Sequence, residues 1–294
     1  MKRLFMMVAA VCLFSINMFA ADVNKELKVQ GFSKLNVSYC FDVTVEKSEN
    51  EYLSITIDEE YEPYLVAKVR DGVLYIGIDT DNLPKSLKRN NSNKTFIAKI
   101  GVRELERIVL SGATSFYSDE VFRANHFVGK FSGATNVKKL NVVAMKSNFG
   151  VSGASKLSLE GEITDCSIDI SGSSQVSVNT NSKELDMDVS GASDITVNGV
   201  YGEVEIDCSG ASNCYLSGKT VSLNMEGSGS CKMKAEDMVA DYCEVDLSGA
   251  SKGTVTAMRH LKVDLSGASK LVYNRDVAKL EVDDISSGAS LKKR

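Results

Sequence analysis

DVSGASDITV, residues 188–197, sets a Ser-Gly-Ala-Ser tetrapeptide between two runs in which apolar and polar residues alternate. The tetrapeptide returns along the chain as SGAT, SGSS, SGSC or SGAS, starting at residues 111, 132, 152, 171, 190, 209, 228, 248, 266 and 287. Neighbouring copies are 18–21 residues apart. A near-constant period of this length marks a stacked-repeat architecture.

The columns around each glycine give the local structure. Two residues before it stand Leu110, Phe131, Val151, Ile170, Val189, Cys208, Gly227, Leu247 and Leu265. The columns four before and four after, which hold Ile168, Met187 and Ile206, and Val176, Ile195 and Cys214, are also mostly apolar, with polar residues between them. Period-two alternation of this kind is a strand with one buried face. A repeat so short has no room for a crossover helix, so the strands cannot form an ordinary parallel sheet. The fold class predicted is therefore all-β: a right-handed parallel β-helix, or solenoid, of about ten coils of 18–21 residues. Equivalent residues would lie about 4.8 Å apart along its axis. The tetrapeptide reads as a corner, where Gly supplies the backbone freedom for a bend and small neighbours stack on themselves. A nucleophilic role for its serines lacks a partnered His.

Before the repeat, KLNVS, FDVTVEK, YLSITID, YLVAKVR, GVLYIGI and TFIAKIG read as strands. EEYEPY, residues 59–64, reads as a turn or one helical turn, and KSLKRNNSNK, residues 85–94, as a polar basic loop. The division expected is a signal peptide over 1–21, an N-terminal β cap with the first coils over 22–105, and the repeat solenoid over 106–294. Lys2 and Arg3, the apolar run 4–14 and the small exit at Ala20 and Ala21 support the signal. Cys12 follows Val11 inside the apolar run, a poor fit to a lipoprotein cleavage site. No later stretch is long and apolar enough for a membrane-spanning helix. The net charge of −5 argues against a nucleic-acid partner.

GFSKLNVSYCFDVTVEKSENEYLSITID, then DGVLYIGI, then IGVRELERIVLSGATSF, followed by the SGAS repeats, resembles the family "putative auto-transporter adhesin, head GIN domain". The likeness covers most of the chain beyond the signal. It implies a β-helical, exported envelope protein of Bacteroidetes-type bacteria, held in the periplasm, at the outer-membrane surface or outside the cell. The role it implies is adhesive, and no catalytic residues are carried over; the partner is left unknown, with a glycan or an envelope or surface protein as the candidates. The repeat strands do not resemble those of an outer-membrane barrel.

One column carries charge. Three residues before the glycine stand Asp169, Asp188, Asp207, Glu226, Asp246 and Asp264. Stacked, these carboxylates would form an outward ladder. The favoured reading is a solvated face that keeps the rod soluble. The sharper alternatives are a Ca²⁺ strip, because Ca²⁺ takes several oxygen ligands, and the acid/base pair of a sugar-cleaving enzyme. Lys156, Lys232, Lys252 and Lys270, three after the glycine, are placed to neutralise part of the ladder across the corner.

Cys166, Cys208, Cys214, Cys231 and Cys243 fall in core or motif columns and read as small hydrophobes. Cys214 and Cys231 lie in neighbouring coils but two residues out of step. Their Cα atoms would then be ~8 Å apart, beyond bridging range without a register slip. His126 and His260 lack ligand-spaced neighbours. Tyr39, Tyr52, Tyr61, Tyr64 and Tyr75 enrich the N-terminal region, where packing is favoured over a glycan-stacking surface. The function expected is a non-enzymatic binding or display module, with no cofactor. A polysaccharide lyase or glycoside hydrolase using the outward acids, and a structural periplasmic element, are the alternatives.

Overall fold

The computed structural model describes residues 22–89, 94–274 and 276–294; the signal segment expected over 1–21 lies outside them. The strands are β1 (Asp22–Leu27), β2 (Lys34–Val37), β3 (Asp42–Lys47), β4 (Tyr52–Asp58), β5 (Leu65–Arg70), β6 (Val73–Ile78), β7 (Phe96–Val102) and β8 (Arg107–Leu110). The long strands β9 (Ser115–Phe131), β10 (Asn136–Val151), β11 (Lys156–Ile170), β12 (Gln175–Val189), β13 (Asp194–Cys208), β14 (Asn213–Gly227), β15 (Lys232–Leu247) and β16 (Lys252–Leu265) follow. The chain closes with β17 (Lys270–Tyr273), β18 (Lys279–Ile285) and β19 (Ser290–Lys293). All belong to one sheet.

From residue 107 onward the chain is a β-solenoid of about ten turns. β9 to β16 pair in parallel, each with the next. The register sets like over like: Ile168, Met187, Ile206, Met225, Val245 and Val263 form one inward column. All six are fully buried. Removing each such side chain from water contributes about 1.5–3 kcal/mol, so the repeated inward column is what makes a thin coil stable. In β12 the inward residues are Val176, Val178 and Thr180, then Leu185, Met187 and Val189, with a short break in alternation between them where the coil bends.

The tetrapeptides are the corners. Gly191 has φ +86°, and a Cβ placed on it would lie 2.3 Å from the Gly172 carbonyl oxygen of the preceding coil. Both the backbone angle and the close approach exclude other residues. Beneath the corner, the last residue of each motif is buried, except Ser290 at the open end of the stack. Thr135 Oγ1 donates to Ser155 Oγ at 2.9 Å, and the amides of Ser174 and Ser193 donate to the hydroxyls of Ser193 and Ser212, each at 3.2 Å.

The N-terminal region is a mixed sheet that joins the stack out of sequence order. β2 and β3 pair in parallel with β8 and β9, and on their other side with β6 and β7. Beyond these, β5 runs antiparallel to β6, β4 to β7, and β1 to β4. The antiparallel strands cover the first coil's edge, which an open parallel stack would leave ready to pair with other chains. Glu62–Tyr64 forms a 3₁₀ turn. Lys85–Arg89, expected as loop, is a single turn of α-helix, α1. Tyr61 is fully buried and packs edge-on to Phe96, with ring centroids 4.9 Å apart. Tyr39 meets the same ring at 5.2 Å.

The acidic face as candidate functional site

Each of β11 to β16 ends in the alternating run that precedes a corner, so residues three before each glycine point outward. The register places Asp169, Asp188, Asp207, Glu226, Asp246 and Asp264 one over another, and Asp284 of β18 continues the column. Two further acidic columns flank it. One pairs Asp186 with Glu205, and the other runs Asp165, Glu184, Glu203. Residues 184–188 and 203–207 therefore present three carboxylates each on adjacent coils. The position three before the glycine shows only the first of these columns; the same alternation followed to five and seven residues before the glycine carries the others.

The face is not neutralised. None of the six ladder acids forms an ion pair among the described residues, and neither do Lys156, Lys232, Lys252 and Lys270. The neutralisation expected across the corner does not occur, because the two columns sit on opposite sides of the bend. Where β16 reaches the face, Lys262 closes the flanking column by donating to Glu244 at 2.8 Å and pairing with Asp283 at 3.2 Å.

Unrelieved charge shifts the carboxyl groups. Partial burial and the neighbouring Asp188 hold Asp207 above the usual carboxylate range. Glu226 is raised chiefly by Asp207, then by burial and by Asp246 and Glu244. Burial, then the surrounding acids, raises Asp186, Glu205 and Asp246. Like charges stacked at coil spacing disfavour the ionised form. Asp207 Oδ1 is buried without a hydrogen-bond partner among the described residues.

Along the corner runs a shallow groove of about 500 Å³, lined by ladder acids and by corner serines such as Ser190 and Ser209. Among the described residues no group of three or more His, Cys, Asp or Glu side chains is arranged to hold a metal ion. The ladder carboxylates stand side by side rather than converging. The histidines stay apart: His126 Nε2 lies 2.8 Å from Asn148 Oδ1, and His260 Nε2 lies 3.2 Å from Glu281. No helix among the described residues is long and apolar enough to cross a membrane.

The described cysteines are free thiols, and all but Cys40 are buried, as their core and motif columns predict. Cys214 and Cys231 are not the close pair. The Cys208 thiol donates to Cys231 Sγ at 2.7 Å, and the Cys214 thiol to Cys208 Sγ at 3.9 Å. Cys208 and Cys231 flank the corner from opposite ends on consecutive coils, a proximity that counting along the strand ladder does not show. Cys166 and Cys243 sit alone in the core, where burial pushes both thiols up to about 12.

A capped β-solenoid with one regular acidic face defines the class: a repeat rod whose equivalent residues stack coil over coil. The chain belongs to the family "Putative auto-transporter adhesin, head GIN domain", which matches residues 31–198 and 166–276. The two matches overlap, as a repeat that can slide by whole coils would produce. A solved structure of a putative adhesin from Parabacteroides distasonis is similar, at 18% identity, a TM-score of 0.56 and coverage of 93% of this chain and 98% of that one. A putative adhesin from Parabacteroides merdae aligns at 16% identity and a TM-score of 0.44, covering 93% and 96%. A putative lipid binding protein from Parabacteroides distasonis aligns at 21% identity and a TM-score of 0.40, covering 93% and 96%. The first of these likenesses carries the fold. No curated protein matches the chain.

Proposed function

We propose that this chain is a non-enzymatic, exported cell-envelope protein that acts by display, with the acidic face as its contact surface. The observation that carries this reading is the carboxylate lattice: outward acids in register over consecutive coils, without lysine partners. A surface repeated at coil spacing offers many weak, equivalent contacts at once, so a partner with matching repeats binds by avidity. The partner is a glycan or envelope protein that brings cationic groups, or divalent cations held between two anionic surfaces. The adhesin name carried by the family and by the first of the solved structures agrees with this role. Sugar cleavage would need an acid and a base placed about a bond in a cleft; the face is a uniform ladder along a shallow groove.

The test is a binding screen of immobilised protein against neutral and acidic glycans and envelope proteins, with and without Ca²⁺. The Asp188→Asn, Asp207→Asn, Glu226→Gln variant is run in parallel. Salt-sensitive binding lost in the variant supports the reading; equal binding by both proteins removes the face from it. Turnover of any glycan would replace it with the lyase or hydrolase alternative. Protease treatment of intact cells divides surface display from a periplasmic structural role.

A further inference from the structure

Two columns of the repeat break at one place. Two residues after the glycine, the position is Thr or Ser in every coil except at Cys231. Two before the glycine, the column is apolar in every copy but the last, where Ser286 stands, and it holds one cysteine, Cys208. The two exceptions fall on consecutive coils and, as free thiols, touch Sγ to Sγ at 2.7 Å. Unbonded carbon atoms rest about 3.5–4.0 Å apart, and sulfur is larger, whereas a disulfide spans about 2.05 Å. Both residues are buried, at 3% and 0% exposure. The break also interrupts the hydroxyl column, since Ser212, which accepts from the Ser193 amide, meets a thiol in the next coil.

We propose that Cys208 and Cys231 form a disulfide that staples two consecutive coils, with Cys214 left as a free thiol beside it. The location gives the bond a purpose. Cys208 follows Asp207 and lines the acidic groove, and Asp207 stacks on Glu226 of the next coil. A covalent tie between those coils opposes the repulsion of the stacked carboxylates at the middle of the face. The oxidant is a small-molecule or protein disulfide. One protein thiolate attacks it, releasing one donor thiol and forming a mixed disulfide. The second protein thiolate attacks the protein sulfur of that intermediate and expels the other donor thiol. Two electrons pass to the donor, and the two protons lost by the cysteines end on its thiols. Burial shields both sulfurs in the closed coil, so exchange takes place while the coil is open, during folding.

The columns supply conservative variants: Cys208→Val restores the apolar residue common at its position and Cys231→Ser the motif serine. The wild-type protein and the Cys208→Val, Cys231→Ser and Cys214→Ser variants are refolded in a buffer of oxidised and reduced glutathione. Remaining thiols are alkylated under denaturing conditions, and digests are mapped by mass spectrometry without reductant. The expected result is a peptide linked between Cys208 and Cys231 in the wild type and in Cys214→Ser, absent from the other two. The wild type should melt several degrees higher oxidised than reduced, and Cys231→Ser should not respond. Full alkylation of all these cysteines after oxidative refolding, or a link through Cys214 instead, would overturn the proposal.

Discussion

Tyr39 holds, in the coil made by β2 and β3, the corner place that Gly112 holds in the next coil. The Ala113 amide donates to the Tyr39 carbonyl at 2.6 Å, as the Ala134 amide donates to Gly112 at 2.7 Å. The two residues share a left-handed backbone, φ 82° and 77°. The strain of a side chain there costs about 1–2 kcal/mol. Contacts with Phe96 and Tyr61 offset it, each aromatic pair being worth about 0.5–1.5 kcal/mol beyond its buried area. Tyr39→Gly should therefore destabilise the protein, by about 1–3 kcal/mol once lost burial is included. Urea unfolding checks the sign; a stabilised variant would mean that strain outweighs packing.

Corner glycines differ sharply from glycines within strands. Gly191→Ala must place a methyl group at positive φ and 2.3 Å from the Gly172 oxygen, so the corner has to open. A loss of at least about 2 kcal/mol is expected. A Cβ added at Gly150 in β10 would meet nothing within 4 Å, and the backbone there has no positive φ. Gly150→Ala should be neutral, or stabilise by up to about 1 kcal/mol through the unfolded chain. Denaturant midpoints of the two variants should move in these different ways.

The acidic face makes stability depend on pH in an unusual sense. Asp186, Glu205, Asp207, Glu226 and Asp246 hold protons more tightly folded than unfolded, because their folded values are raised. Their contribution is greatest below the ordinary carboxylate range and is lost as pH rises through the raised folded values. The melting temperature should rise as pH falls from neutral toward the ordinary carboxylate range, by about 2–4 °C for each kcal/mol recovered. Below the ordinary range Asp119 and Glu281, whose values are lowered by hydrogen bonds to Tyr117 and Lys139 and to Lys279, lose their own contribution. Asp207→Asn should raise the melting temperature at neutral pH and shrink the pH response. Thermal scans of both proteins across this range measure it.

Salt should act in the same direction as acid. At about 1 M salt the screening length, about 3 Å, is shorter than the coil spacing. Ladder repulsion is then weakened at neutral pH, and wild type and Asp207→Asn should approach each other in melting temperature. A gap that persists in high salt would point to the unpartnered Asp207 Oδ1 rather than to charge.

The glycines made most of the solenoid legible, because only Gly tolerates the corner and its period is then visible directly. The coil of β2 and β3 was hidden for the complementary reason. Tyr39 does the work of Gly, and the chain visits β4 to β7 before resuming the stack at β8. The ladder from Asp169 to Asp264 followed from the same alignment, since parallel pairing converts a column of letters into a column of atoms. The Cys208–Cys231 contact did not, because it runs beneath a corner, between positions that strand register does not pair.

The central claim is that successive tetrapeptides are successive coils in vertical register. Spin labels on cysteines replacing Lys156 and each of Lys232, Lys252 and Lys270 in turn, with the partly exposed Cys40 removed as Cys40→Ala, measure it directly by pulsed dipolar spectroscopy. These lysines lie four, five and six coil steps from Lys156. Distances rising in order through about 19, 24 and 29 Å, one coil spacing at a time, are the predicted result. Distances that fail to rise with coil number, or that scatter without a common increment, would contradict the stack and every column read from it.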